Sequence, residues 1–121
     1  MLKKRGAGVL LHISSMPSDY GVGVFDENVI HFIDKIADMG FTYWQVLPFN
    51  PIDRANSPYC SPSAFAGNYI FINPKGLYDM GLICEEDYKS NIYDGTPYTA
   101  DYEFAGKKSI FKHKRRACKA D

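Results

Sequence analysis

The sequence predicts an α/β fold organised on one parallel β-α-β unit. Two near-continuous apolar runs, Gly8–Ile13 and Tyr43–Leu47, read as strands buried on both faces, the pattern of a parallel sheet. Between them, Phe25, Val29, Ile30, Ile33, Ile36 and Ala37 fall on one helical stripe. Strand, helix and strand in this order make a crossover, and such crossovers are almost always right-handed.

Each element has a local reason. The first run is bounded by glycine and by Ser14-Ser15-Met16-Pro17, and turn chemistry follows at Ser18 to Gly21 and at Gly23. Asp26 is placed to cap the helix, with Glu27 as a second acid in its first turn. Gly40 stands where a left-handed cap ends it. After the second strand, roughly twenty residues from Pro48 to Tyr69 show no period, and loops of that length in compact domains are usually functional or disordered. Tyr69–Asn73 reads as a short extended piece stopped by Pro74-Lys75-Gly76. Leu77–Ile83 reads as a short helix broken by Gly81, and Glu85–Ser90 as one polar helical turn. Asn91–Asp101 is turn-rich, and a helix begins near Phe104.

Composition excludes several classes. The chain has 121 residues, no formal net charge and 45% apolar residues. No segment reaches the ~18 continuous apolar residues of a membrane span. Gly6, Gly8 and His12 interrupt any signal-peptide core, so no export is expected. Cys60, Cys84 and Cys118 are odd in number and widely spaced, which predicts three free thiols in a reducing cytoplasm and no zinc site. Half of the Lys and Arg residues lie between Lys107 and Lys119. A nucleic-acid or membrane patch is one reading of that run; a solvated cationic helix face suits the neutral total better.

The long loop is the chemically informative part. Asn56 to Asn68 contains Tyr59 and Phe65, the hydroxyls of Ser57, Ser61 and Ser63, two prolines and no charge. That composition argues against disorder. A pyranose has an apolar C–H face that packs on an aromatic plane and a hydroxyl rim that needs donors and acceptors, so a sugar is the matching ligand class.

Ser57-Pro58-Tyr59-Cys60-Ser61-Pro62-Ser63-Ala64-Phe65-Ala66-Gly67-Asn68 resembles the S-P-Y-x-S-x-S-A-F-A-G-N signature of 4-α-glucanotransferases, the amylomaltases or disproportionating enzymes of glycoside hydrolase family 77. Arg5 to Pro17 and Tyr43 to Pro48 extend the resemblance in register over most of residues 5 to 78. Met16 replaces the common leucine, Cys60 and Pro62 fill variable positions, and Asn50 to Ala55 is the least family-like part. The resemblance implies the N-terminal portion of a (β/α)8 TIM barrel, incomplete over residues 1–121, because such a barrel takes about 250 residues or more. It implies transfer of an α-1,4-glucan segment to a new 4-hydroxyl by a retaining mechanism, with no cofactor and no metal.

Retention needs two carboxyl groups about 5 Å apart. Neither strand end offers such a pair. Asp53 is alone in its loop, and family members carry their nucleophile and acid/base on later strands. The resemblance therefore implies no catalytic residue here, and a chain inactive by itself. It implies substrate contact by Tyr59, stacking on the donor side of the cleavage point, and by Ser57. Asn68 and Ser61 are expected to hold the loop, Gly67 to need a positive φ, and Phe65, Tyr43 and Trp44 to be core. His12 is expected to be structural; Asp19 and Tyr20 lie in the first strand-to-helix loop, where nothing local places them at the cleft. The competing reading is a stand-alone carbohydrate-binding or interaction module without catalysis.

Overall fold

A computed structural model describes residues 5–108. It contains β1 (Gly8–Leu10), α1 (Glu27–Asp38), β2 (Tyr43–Gln45), α2 (Pro74–Asp79), α3 (Glu85–Ser90) and α4 (Tyr102–Lys108), with 3-10 turns at Ile13–Ser15 and Tyr69–Phe71. The cationic run expected beyond Lys108 lies outside the described residues.

β1 and β2 pair in parallel, with Gly8 opposite Tyr43, Val9 opposite Trp44 and Leu10 opposite Gln45. The strands are shorter than the apolar runs. The ladder closes with the Leu11 amide on the Gln45 carbonyl at 3.1 Å, after which the Met16 amide turns back onto Ile13. Trp44 faces α1: its ring meets Phe32 edge-on at 5.3 Å, and its indole Nε1 donates to the Leu11 carbonyl at 2.8 Å. Alternation then sends Tyr43 and Gln45 to the opposite face. On that face Leu10 is 59% exposed and Tyr43 43% exposed. The strands of this chain are thus covered on one face only, with the other left uncovered, as two parallel strands alone must leave it.

The helix forms for the reasons its sequence gives. The Asp26 side chain accepts from the Asn28 amide, and Met39 and Gly40 end the helix, with Gly40 at φ +86°. Val29 and Ile36 are buried, whereas Ile30 and Ile33 on the same stripe are exposed. The core lies at the C-terminal ends of the strands. Ile13, Met16 and Val22 from the connection after β1 meet Val29, the Ile70–Phe71 turn and Ala105 of α4.

The second half departs from expectation at two points. Tyr69–Phe71 is a 3-10 turn, not an extended piece, because the Asn68 side chain and carbonyl capture the Ile70 and Phe71 amides. No strand among the described residues lies beside it to offer ladder bonds instead. α2 starts at Pro74, where a stop was expected. Asn73 caps it by accepting from the Lys75 amide, and proline suits the first helical position. Gly81, at φ +71°, closes the following turn. α3 forms as expected, with a Lys89–Glu85 pair at 2.6 Å. α4 begins slightly early because the Asp101 carboxylate accepts from the Phe104 amide at 2.8 Å.

The thiols correct a further expectation. Cys60 is free and exposed, but Cys84 is disulfide-bonded, so the cysteines are not all free. Pairing follows proximity in the fold, which spacing along the chain does not reveal. No helix among the described residues is long and apolar enough to cross a membrane.

Candidate functional site

The long loop leaves β2 at its C-terminal end and is closed at its base. The Asn68 amide donates to the Phe49 carbonyl at 2.7 Å. The Phe49 ring is packed between Phe25 at 5.2 Å and His12 at 5.9 Å, so the base rests on the segment just past the β1 end.

Inside the loop, side-chain polar groups hold the backbone. Asp53 Oδ1 accepts from the Ala55 and Ser57 amides, both at 2.9 Å, and the Asn56 amide donates to the Asp53 carbonyl. This turn puts Asn56 at φ 60°, a conformation that asparagine tolerates. Ser57 Oγ accepts from the Tyr59 amide at 3.3 Å. Ser61 Oγ donates to the Ser63 carbonyl and accepts from the Ser63 amide, at 2.8 and 3.2 Å. Ser63 Oγ accepts from the Phe65 and Ala66 amides. Asn50 Nδ2 faces the carbonyls of Ser63, Ala64 and Ala66 at 3.2, 2.9 and 3.3 Å.

The rings point the other way. Tyr59 is 71% exposed, and Phe65 is fully exposed. Phe65, expected in the core, is uncovered in this chain, which spans a quarter of its relatives. The Asn50 and Ser63 bonds fix the backbone on either side of it. Gly67 does not have a positive φ and has open space around it, so the strained position in this loop is Asn56 instead. Ser57 is half-buried, with its hydroxyl proton still available after accepting from Tyr59. Asn68 and Ser61 hold the loop as expected. Asn50 and Asp53, the main clamps, were missed; an Asp three residues before an Asn, with no helical period, was the available turn signal.

His12 is structural in this arrangement. It is buried, stacked on Phe49 and edge-on to Phe71 at 5.3 Å, and among the described residues its Nδ1 has no hydrogen-bond partner. The Asn68 Nδ2 atom is likewise buried and without a partner among the described residues. Burial lowers the His12 pKa below its ordinary 6.5. The folded state thus binds this proton less readily than the unfolded chain. Stability is full above 6.5 and falls as pH drops through that value toward the folded pKa. We expect the urea midpoint to fall between about pH 7 and pH 5, and His12→Phe to flatten that dependence. Parallel titration of both proteins by denaturation checks this, and equal slopes would exclude His12 as the source.

Asp19 and Tyr20 do not stand free beside the loop. The Asp19 carbonyl accepts from the Tyr93 amide at 2.7 Å. Tyr20 is raised in pKa, first by burial and then by its neighbour Tyr88. Both tie the β1–α1 connection to the second half of the chain. A shallow cleft beside Tyr20, Tyr69 and Phe104 is lined by no residue of the loop. Among the described residues, no cluster of His, Cys, Asp and Glu could hold a metal ion.

The chain resembles known proteins in sequence and in fold. A family profile described as glycoside hydrolase family 77, 4-alpha-glucanotransferase, matches residues 11–119. A 4-alpha-glucanotransferase of Aquifex aeolicus is 42% identical over 116 residues, which are 93% of this chain and 24% of the relative. That of Thermus thermophilus is 43% identical over 83 residues, 69% of this chain and 17% of the relative. A solved amylomaltase from Streptococcus agalactiae, in complex with acarbose, superposes with a TM-score of 0.74 at 34% identity, over 93% of this chain and 25% of that one. The chain spans about a quarter or less of the relatives it matches. On the extent of the profile match and these identities, the chain belongs to glycoside hydrolase family 77, the 4-alpha-glucanotransferases.

Proposed function

We propose that residues 1–121 form the N-terminal part of a (β/α)8 catalytic barrel that transfers α-1,4-glucan segments. In that enzyme the donor glycosyl is held covalently and passed to a 4-hydroxyl of glucose or glucan instead of water. This chain's share of the task is binding. Tyr59 offers its ring to one glucosyl unit, and Ser57 offers its free hydroxyl proton to a sugar oxygen. The carrying observation is the outward Tyr59 ring on a loop whose backbone is fixed by Asp53, Asn50 and Ser63. A fixed backbone means that little conformational freedom is lost when the sugar binds. The acarbose complex of the S. agalactiae relative supports an oligosaccharide substrate.

Leu10 and Tyr43, exposed on the face of the sheet away from α1, support further barrel strands closing over it. We assign no nucleic-acid or membrane partner, cofactor or metal to the reaction. The exposed thiol of Cys60 supports a reducing compartment, the cytoplasm, while the bonded Cys84 weighs against it.

The chemistry itself lies elsewhere in the barrel. Retention needs a nucleophile and an acid/base about 5 Å apart, and the loop's carboxylate, Asp53, is occupied with two backbone amides. The 121-residue chain alone should therefore release no glucose from maltotriose and build no longer dextrins, whereas the whole enzyme does both. Chromatography of the products checks this. Transfer by the short chain above a buffer blank would place the catalytic pair within it, and no transfer by the whole enzyme would remove the proposed activity.

A further inference from the structure

We propose that His12 is a positioning residue for the glucan-binding loop, which stays seated only while the His12 imidazole is neutral. The inference rests on the glucan-binding reading above.

Both ends of the loop that carries Tyr59 and Ser57 meet at this ring. His12 is stacked on Phe49, whose carbonyl accepts the Asn68 amide that closes the loop base. Its other ring neighbour is Phe71, whose amide donates to the Asn68 carbonyl. The His12 Nδ1 atom is enclosed, and among the described residues it has no partner. The Asn68 Nδ2 atom, enclosed at the same base, is a donor and cannot accept a proton from it. Further barrel residues can add cover to a nitrogen already enclosed. They cannot reach it without opening the base.

An orphaned lone pair on Nδ1 is tolerated better than an orphaned N–H that carries charge. The neutral ring therefore keeps its proton on Nε2. Uptake of a second proton puts an N–H on Nδ1 and a positive charge between two phenyl rings. Attraction to the Phe49 face recovers only part of that cost. The remaining relief is to open the Phe49 stack and admit water, which unseats the loop. The titratable groups on the surrounding elements are Asp26 and Glu27 at the start of α1, Asp53 and Arg54 in the loop, and Tyr69 on the 3-10 turn. None of them acts on His12, whose pKa is lowered by burial alone.

The test uses the whole enzyme as wild type, His12→Phe and His12→Leu. KM and kcat for maltotriose are measured from about pH 7.5 to about pH 5. Apparent affinity falls with the fraction of molecules whose loop is seated, so wild-type KM should rise roughly 3- to 10-fold over this range. Neither variant can take up the proton, so in both KM should be the same at either end. The kcat profile, set by the catalytic carboxyl groups, should be shared by all three. The His12 ring titration, followed by NMR in the wild type, should have the same midpoint as the KM change. A wild-type KM that does not move overturns the inference, and a carboxylate brought to the ring by the rest of the barrel would give that result. An equal rise in the variants, or a ring midpoint unlike that of KM, also overturns it. A role in global stability alone would instead lower the apparent kcat at constant KM. Failure of the wild-type enzyme to disproportionate maltotriose at neutral pH would overturn the function on which the inference rests.

Discussion

Tyr59→Ala in the whole enzyme should lower kcat/KM for maltotriose by roughly 5- to 150-fold. The range comes from ~1–3 kcal/mol for stacking on an aromatic ring, by analogy with nucleic-acid bases, at ~1.4 kcal/mol per tenfold. The structure favours the ring over the hydroxyl as the active part. The side chain is 71% exposed, and among the described residues nothing bonds its hydroxyl. Tyr59→Phe should therefore keep most of the activity. A fall in Phe nearly as deep as in Ala would transfer the role to a hydroxyl hydrogen bond. Melting temperature should not move in either variant, because the Tyr59 amide, not its ring, is what the loop holds. Full activity in the Ala variant would remove Tyr59 from the site and leave the loop as a structural device.

The β-α-β unit was legible because its signals are periodic and local. The apolar stripe, the Asp26 cap and Gly40 set α1 from within a few residues of its ends. Pairing of the two apolar runs then follows from chain order. What could not be read was which face each residue takes. Trp44 and Tyr43 alternate, and only the Phe32 contact shows that Trp44 is the one on the helix side. The 3-10 turn at Tyr69–Phe71 shows the same limit from another direction. Its residues have strand propensity, but propensity yields to the Asn68 cap when no neighbouring strand supplies ladder bonds.

In the loop, residue types suggested a sugar, while the division of labour among them did not show. Serines next to aromatics suggest hydroxyls facing the ligand. The structure uses Ser61 and Ser63 as internal braces and turns Phe65, an expected core residue, outward. Hydrophobicity places a ring inside only where the fold has an inside to offer. Between Asn50 and Asn68 the hydrogen bonds are made to loop backbone, and this chain offers no core surface to cover the rings. Asn50 went unnoticed for a related reason. Its three carbonyl partners lie more than a dozen residues away, beyond any local pattern.

Gly23→Ala is expected to be the most damaging single change at the ends of the strands. Gly23 is buried, and its amide donates to the Ser14 carbonyl at 3.2 Å. A Cβ built there would overlap the Ile13 carbonyl oxygen and lie 2.9 Å from the Met16 backbone nitrogen and Cβ. The obstacle is backbone, so no rotamer change relieves it. The Ile13–Ser15 turn and the Val22–Val24 segment must separate, and Ile13, Val22 and Val24 are among the most buried side chains. We expect a loss of ~3–5 kcal/mol, the size of the larger single-residue effects. Alanine restricts the unfolded chain by only ~0.4–1 kcal/mol, which cannot offset that loss. Because the turn leads out of His12, on which the loop base is stacked, glucan transfer should fall along with stability. Gly67→Ala is the matched control. It has no atom within 4 Å of the new methyl and no positive φ, so its stability should stay within about 0.5 kcal/mol of wild type. Urea denaturation of both variants decides the matter: equal midpoints would mean that the close approach at Gly23 is not a feature of the folded protein.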